Sequence, residues 1–246
     1  MEIPVSSVCG VAWTLIMANR SRSLARLGAF LIVVLLTSFA VQAAQTAPTA
    51  SVPAPSDANG KKLRAAAEPF ENLTEISFSA AWPRIDKTVG EAEAAAGGVR
   101  GSLSKDVAGQ LDAQVSAMKL ARQKQDRAGL ALSSIEAYRV LVSAVTDNGK
   151  IPTGVSLLDY AGFRYDANLK ANPIRWDDMA RAVSFAHKTW DALPSRAKAS
   201  PVAVRFEKAI TDMDKAVVQR SKSLAASSVK TELDLVDQLE NFFSTH

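Results

Sequence analysis

Beyond residue 61, apolar positions recur at steps of three and four along almost the whole chain, the spacing that keeps side chains on one face of a helix. No stretch alternates with period two for long, so the pattern predicts an all-α fold, with residues 70–80 the one place where a strand is entertained. Trp82, Ile85, Val89, Ala92 and Ala96 form the first stripe. Pro83 fits its first turn, where a missing N–H costs nothing, and Gly97, Gly98 and Gly101 close it. Val107, Leu111, Val115 and Met118 follow, with Ser102 or Ser104 as N-cap. Ala131, Ile135, Tyr138, Val142 and Val145 form a third stripe. Read as one helix, residues 103–146 would run roughly 66 Å at 1.5 Å per residue, so a break is expected between Gln123 and Gly129.

Asp147 to Pro152 reads as a loop, and Val155, Leu158, Gly162, Tyr165 and Leu169 mark a helix that stops before Asn172. Asn172-Pro173 is a start signal, Leu193-Pro194 a stop and Ser200-Pro201 a second start. The last region carries Phe206, Ile210, Met213, Val217 and Leu224, then Val229, Leu233, Val236 and Phe243, with a turn expected at Ser227-Ser228. Stripes joined by short loops predict an antiparallel helical bundle of about six to seven helices, in one domain over residues 62–246. The alternative is a stack of helical hairpins, which should bring the same residue types back at a fixed period; no such period is evident. Trp82, Ile135, Leu158, Val183, Ile210 and Leu233 are expected in the core.

The first 43 residues follow a different logic. Arg20, Arg22 and Arg26 precede the apolar run Leu27 to Val41, and Val41-Gln42-Ala43 offers small residues to a signal peptidase. The run falls short of the roughly 20 residues a membrane-spanning helix needs. It reads as a signal peptide cut after Ala43, leaving no membrane span, and Met17 is a candidate true start. Residues 44–61 are rich in Ala and Pro and read as a flexible linker. The expected destination is the periplasm or the outside.

Composition changes this picture little. A chain of 246 residues with 48% hydrophobic and 22% charged positions is globular. Loss of Arg20, Arg22, Arg26 and Glu2 with the signal peptide lowers the net charge from +4 to +2, which takes most of the support from nucleic acid as a partner, and none is expected. Cys9, the only cysteine, leaves with the same segment, and with it any thiol chemistry or covalent haem.

Candidate chemistry concentrates in LLDYAGFRYDAN, residues 157–168. Asp159 and Asp166 lie two turns apart on one helix face, with Tyr160 and Arg164 beside them and Gly162 allowing a close approach, an arrangement suited to a cation or cationic solute. His187 lies among Trp176, Val183 and Trp190. If the helices on either side of Ala171–Pro173 are antiparallel, Asp159 and His187 stand at matching heights, which makes them the candidate metal ligands or an orienting pair. A histidine with Met118, Met179 or Met213 opposite would be similar in plan to soluble b-type cytochromes, so metal or non-covalent haem is a candidate cofactor. Lys119, Arg122, Lys124 and Arg127 form a basic patch, and Glu232, Asp234, Asp237 and Glu240 read as the solvated side of the last helix. No nucleophile elbow, phosphate loop or zinc motif is present. These features point to a binding or accessory protein of the bacterial envelope, its partner a small molecule, metal or envelope protein; a metal or haem carrier and a docking adaptor are the alternatives.

Overall fold

The computed structural model describes residues 57–146 and 149–245; the expected signal peptide, its cleavage site, most of the expected linker, and Asp147 and Asn148 of the expected loop lie outside them. The described residues form the helices α1 (Asp57–Ile76), α2 (Trp82–Val99), α3 (Lys105–Gln123), α4 (Arg127–Ser143), α5 (Thr153–Leu169), α6 (Trp176–Ala192), the short α7 (Ser195–Lys198), α8 (Ala203–Gln219) and α9 (Lys222–Thr245). A 3-10 turn, Arg100–Ser102, follows α2. No strand occurs among the described residues, and α1 covers most of the segment where one was entertained. It also begins at Asp57, inside the stretch expected as linker.

Local chemistry sets most boundaries. Pro83 sits in the first turn of α2, and Ser104 caps α3 by accepting from the Val107 N–H at 3.3 Å. The expected break after Gln123 is there: Asp126 accepts from the Gly129 N–H at 2.9 Å and starts α4. Two expected signals act elsewhere. Asn172-Pro173 is a cis peptide in the loop, and α6 starts three residues later, at Trp176. The turn in the last region falls at Arg220-Ser221, whereas Ser227 and Ser228 lie inside α9. Their hydroxyls donate to the Leu224 carbonyl at 3.1 and 2.8 Å, so the helix absorbs the polar groups that suggested a turn.

The helices close into two rings. In the first, α1 packs on α2 and α4, and α3 on α2 and α4, around a core that includes Leu63, Phe70, Ile85, Leu111, Met118 and Ile135. In the second, α5 packs on α6 and α9, and α8 on α6 and α9, around Leu158, Tyr165, Met179, Phe206, Met213 and Phe243. The bundles join chiefly where α4 meets α5. Of the six residues expected in the core, Ile135, Leu158, Val183 and Ile210 are buried. Leu233 is only half-buried, as is Trp82, whose ring is covered by the guanidiniums of Arg122 and Arg127, 4.7 and 4.6 Å from its centroid. Arg122 also pairs with Asp86 and Arg127 donates to the Ala80 carbonyl at 3.0 Å, so half of the expected basic patch braces the fold.

The rings are one pattern used twice. An offset of 95 residues carries Leu63 onto Leu158, Phe70 onto Tyr165, Met118 onto Met213, Ala121 onto Ala216 and Ser133 onto Ser228, all buried. It also carries the 3-10 turn onto α7. The turns between the third and fourth helices of each ring match bond for bond. Gln125 and Arg220 adopt left-handed φ angles of 54° and 49°, uncommon for residues with a side chain. The next amide, Asp126 or Ser221, reaches back to the carbonyl of Ala121 or Ala216, both at 2.9 Å, and the same residue then caps the following helix. The expectation that no residue types return at a fixed period is thus corrected: the period is half the domain, and it survives where side chains are buried.

Candidate functional site

In the second ring α5 and α9 run antiparallel and unusually close. Gly162 makes this possible, since a methyl group there would stand 2.1 Å from Glu232 Oε2 and 2.6 Å from Leu233 Cδ2. The Glu232 side chain is wholly buried, and neither carboxylate oxygen has a hydrogen-bond partner among the described residues. Burial pushes its pKa far up, because a charge there has no water and no counter-ion. A turn earlier on α5 lies Asp159, 5% exposed, with no hydrogen bond to its carboxylate among the described residues. Burial raises its pKa first, then the charges of Glu240, Glu71 and Glu232.

Two of the acids that act on Asp159, Glu240 and Glu71, line a cavity of about 660 Å³ between the bundles. Its walls come from α1 (Lys61, Arg64, Glu68, Glu71), α4 (Tyr138, Val142), α5 (Ser156), α9 (Glu240) and the loop with Lys150 and Ile151, so three acids share the wall with three bases. Glu71 is raised to about 7, by burial and then by Glu240. Glu240 is raised by burial and Asp237, with Arg64 working the other way. Burial and the nearby acids hold Tyr138 protonated. Arg64, whose charge acts on Glu240, is engaged by the loop: its Nη2 donates to the Ile151 carbonyl at 3.4 Å and Thr153 Oγ1 at 3.2 Å. Carboxylates that repel one another in a partly dry cavity favour either protons or a cation between them.

Of the sequence-predicted site residues, only Asp159 belongs here. Tyr160 and Arg164 point to the other side of α5, where both bond Glu136 Oε1 at 2.7 Å and Arg164 Nη2 reaches Asp178 at 3.2 Å. Burial and the Glu136 charge push Tyr160 up to about 12. That network ties α4, α5 and α6 together. Asp166 forms a one-turn ion pair with Lys170 at 2.5 Å. His187 bonds Asp214 on α8 at 2.7 Å.

The Asp159–His187 pair is not formed. The helices are antiparallel as expected, since Tyr160 packs edge-on against Phe185 at 5.1 Å and Gly154 faces Leu193. The heights therefore agree and the faces do not: one side chain looks toward α1 and α9, the other toward α8. Met118, Met179 and Met213 are wholly buried in the two cores, whereas His187 is held half-exposed by Asp214, so no His–Met pair converges among the described residues. Among the described residues no group of three or more potential ligands is placed to hold a metal ion.

Glu71, Glu232 and Glu240 escaped the sequence reading. A signal was there for Glu232, which continues the buried stripe Ala225, Val229, Val236, Leu239 instead of standing opposite it. The acidic side of α9 was read as solvated, and for Glu232 that is reversed. Compared with protein-family models, curated proteins and solved structures, the chain finds no match.

Proposed function

We propose that this is an exported, non-catalytic binding protein of the bacterial envelope that takes a cationic solute in the cavity between its two bundles. One observation carries the reading: Glu71 and Glu240 of the cavity wall act together on Asp159, a buried carboxylate with no hydrogen bond among the described residues. The size falls within the roughly 300–1,000 Å³ of small-molecule sites, and Val142, Val145 and Ile151 supply apolar lining for a ligand's carbon skeleton. A bound cation offsets the burial, and then the repulsion, that raise these carboxylates and releases their protons on entry.

The test is calorimetric titration of the exported protein with small organic ammonium ions and, separately, with carboxylates of matching shape. Ammonium ions should bind, more weakly after Glu71→Gln or Glu240→Gln and unchanged after His187→Ala. Preference for the carboxylates, or indifference to the glutamine variants, overturns the reading. Export is tested by the N-terminal sequence of the mature protein, which should begin at Ala44; a chain beginning at Met1 or Met17 refutes it.

A further inference from the structure

The second ring leaves open a stripe that the first ring buries. On α4, Ala131, Ile135 and Tyr138 follow one another at steps of four and three along one face, and all three are buried. The offset between the rings carries them onto Ala226, Lys230 and Leu233 of α9, of which the first two are exposed and the third is half-buried. All three line a second cavity, of about 980 Å³. Phe78 after α1, Leu169 at the end of α5, Ile174 in the loop before α6 and Val229 add apolar lining. Along α5, Gly162 with its contacts to Glu232 and Leu233 lies between this cavity and the acidic one, and the two share no lining residue.

The charges around this second cavity do not cancel. Of its three lysines, Lys170 pairs with Asp166 at 2.5 Å and Lys230 with Asp234 at 2.7 Å, which occupies both acids of the lining. Lys222 has neither an ion pair nor a hydrogen bond from its side chain among the described residues. Its counterpart in the first ring, Arg127, is engaged by the protein itself: it donates to the carbonyls of Ser77 and Ala80 and covers the Trp82 ring. The second ring thus keeps one positive charge at the rim of an apolar trough and gives it nothing to hold. We infer that this cavity binds an anionic amphiphile, an aliphatic chain with a single carboxylate, its chain lying along Leu169, Val229 and Leu233 and its head at Lys222. From Lys222 to Leu233 the α9 wall runs about 16 Å, which suits an extended chain of medium length. The volume is at the upper end of the roughly 300–1,000 Å³ of small-molecule sites. This site is independent of the cationic reading of the first cavity, since it uses other residues and the opposite charge.

The experiment titrates the purified protein calorimetrically with decanoate, butanoate, decanol and decylammonium, each below the concentration at which it forms micelles, and sediments it with vesicles of anionic phospholipid. Decanoate should bind at least roughly tenfold more tightly than butanoate, the factor given by burying about two of its six additional methylenes. It should also bind more tightly than decanol or decylammonium. Lys222→Gln should remove the preference for decanoate over decanol. Ala226→Phe, which puts a ring into the trough, should weaken every ten-carbon ligand while the helical circular dichroism stays that of the wild type. Both positions are exposed, and the lysine variant keeps the test decisive if the added ring disturbs packing. Decylammonium binding as tightly as decanoate would overturn the inference, as would decanoate affinity unchanged by Lys222→Gln or the absence of binding by any ten-carbon ligand. Sedimentation with the vesicles without binding of decanoate would replace the free amphiphile with a membrane surface.

Discussion

The two rings contain their own control for the most unusual contact in the protein. The offset that relates them carries Ala67 onto Gly162 and Ala137 onto Glu232, so the place of a buried carboxylate against a glycine is taken in the first ring by two buried alanines. The double substitution Gly162→Ala/Glu232→Ala transplants that pair. Alone, Gly162→Ala drives a methyl group to 2.1 Å from Glu232 Oε2 and 2.6 Å from Leu233 Cδ2. Overpacking of that kind costs about 1–3 kcal/mol. With Glu232 shortened, the closer of the two clashes disappears and Leu233, half-buried and flexible, can yield. The double variant should therefore recover most of the loss, a coupling of about 1–3 kcal/mol between the sites.

A pH dependence goes with it. The folded pKa of Glu232 lies above its ordinary 4.5, so the native state holds a proton that the unfolded chain releases. The stability this proton confers is complete below about pH 4.5 and declines as pH rises, by about 1.4 kcal/mol per unit for one group. Between about pH 5 and about pH 7 the wild type should therefore lose more stability than the double variant, while Asp159, Glu71 and Glu240 titrate in both. Urea unfolding followed by far-ultraviolet circular dichroism at both pH values measures each quantity. Strictly additive single variants, or parallel pH slopes, would refute the claim that Glu232 is an unpartnered acid pressed against Gly162.

Leu158→Ala removes a wholly buried side chain from the second core and should cost about 2–5 kcal/mol in the same assay; a loss well under 1 kcal/mol would mean the site collapses without a cavity. Ser221→Ala deletes the N-cap of α9, whose hydroxyl meets the Leu224 N–H at 3.4 Å, and should cost about 0.5–2 kcal/mol, whereas Ser227→Ala should be near neutral because that hydroxyl only bonds back within an exposed turn. Equal losses at the two serines would refute the boundary at Arg220-Ser221.

The helices were legible because each buries one stripe against neighbours, and stripes such as Val155, Leu158, Gly162, Tyr165, Leu169 are written at local spacing. Boundaries were legible where a side chain caps directly, as at Ser104, and misleading where the backbone does the work. Arg220 turns the chain without glycine or proline, so nothing in its residue type announced the break. The candidate site was half legible. Asp159 stood out beside Gly162, but the acids that give it meaning come from α1 and α9, some 70 to 90 residues away along the chain. The pairing of Asp159 with His187 failed for a rotational reason, since helix height follows from counting residues while the facing direction depends on which neighbour each helix chooses.

Arg64 and Asp159 occupy equivalent places in the two rings. In a dimer of identical chains, symmetry would force the same residue into both, and an acid serving one half would appear, wanted or not, in the other. Fusion of the halves into a single chain lifts that constraint. One copy of the position becomes a guanidinium that holds down the connecting loop, and the other a buried carboxylate among acids, so the junction can carry a polarity that a symmetric assembly would cancel.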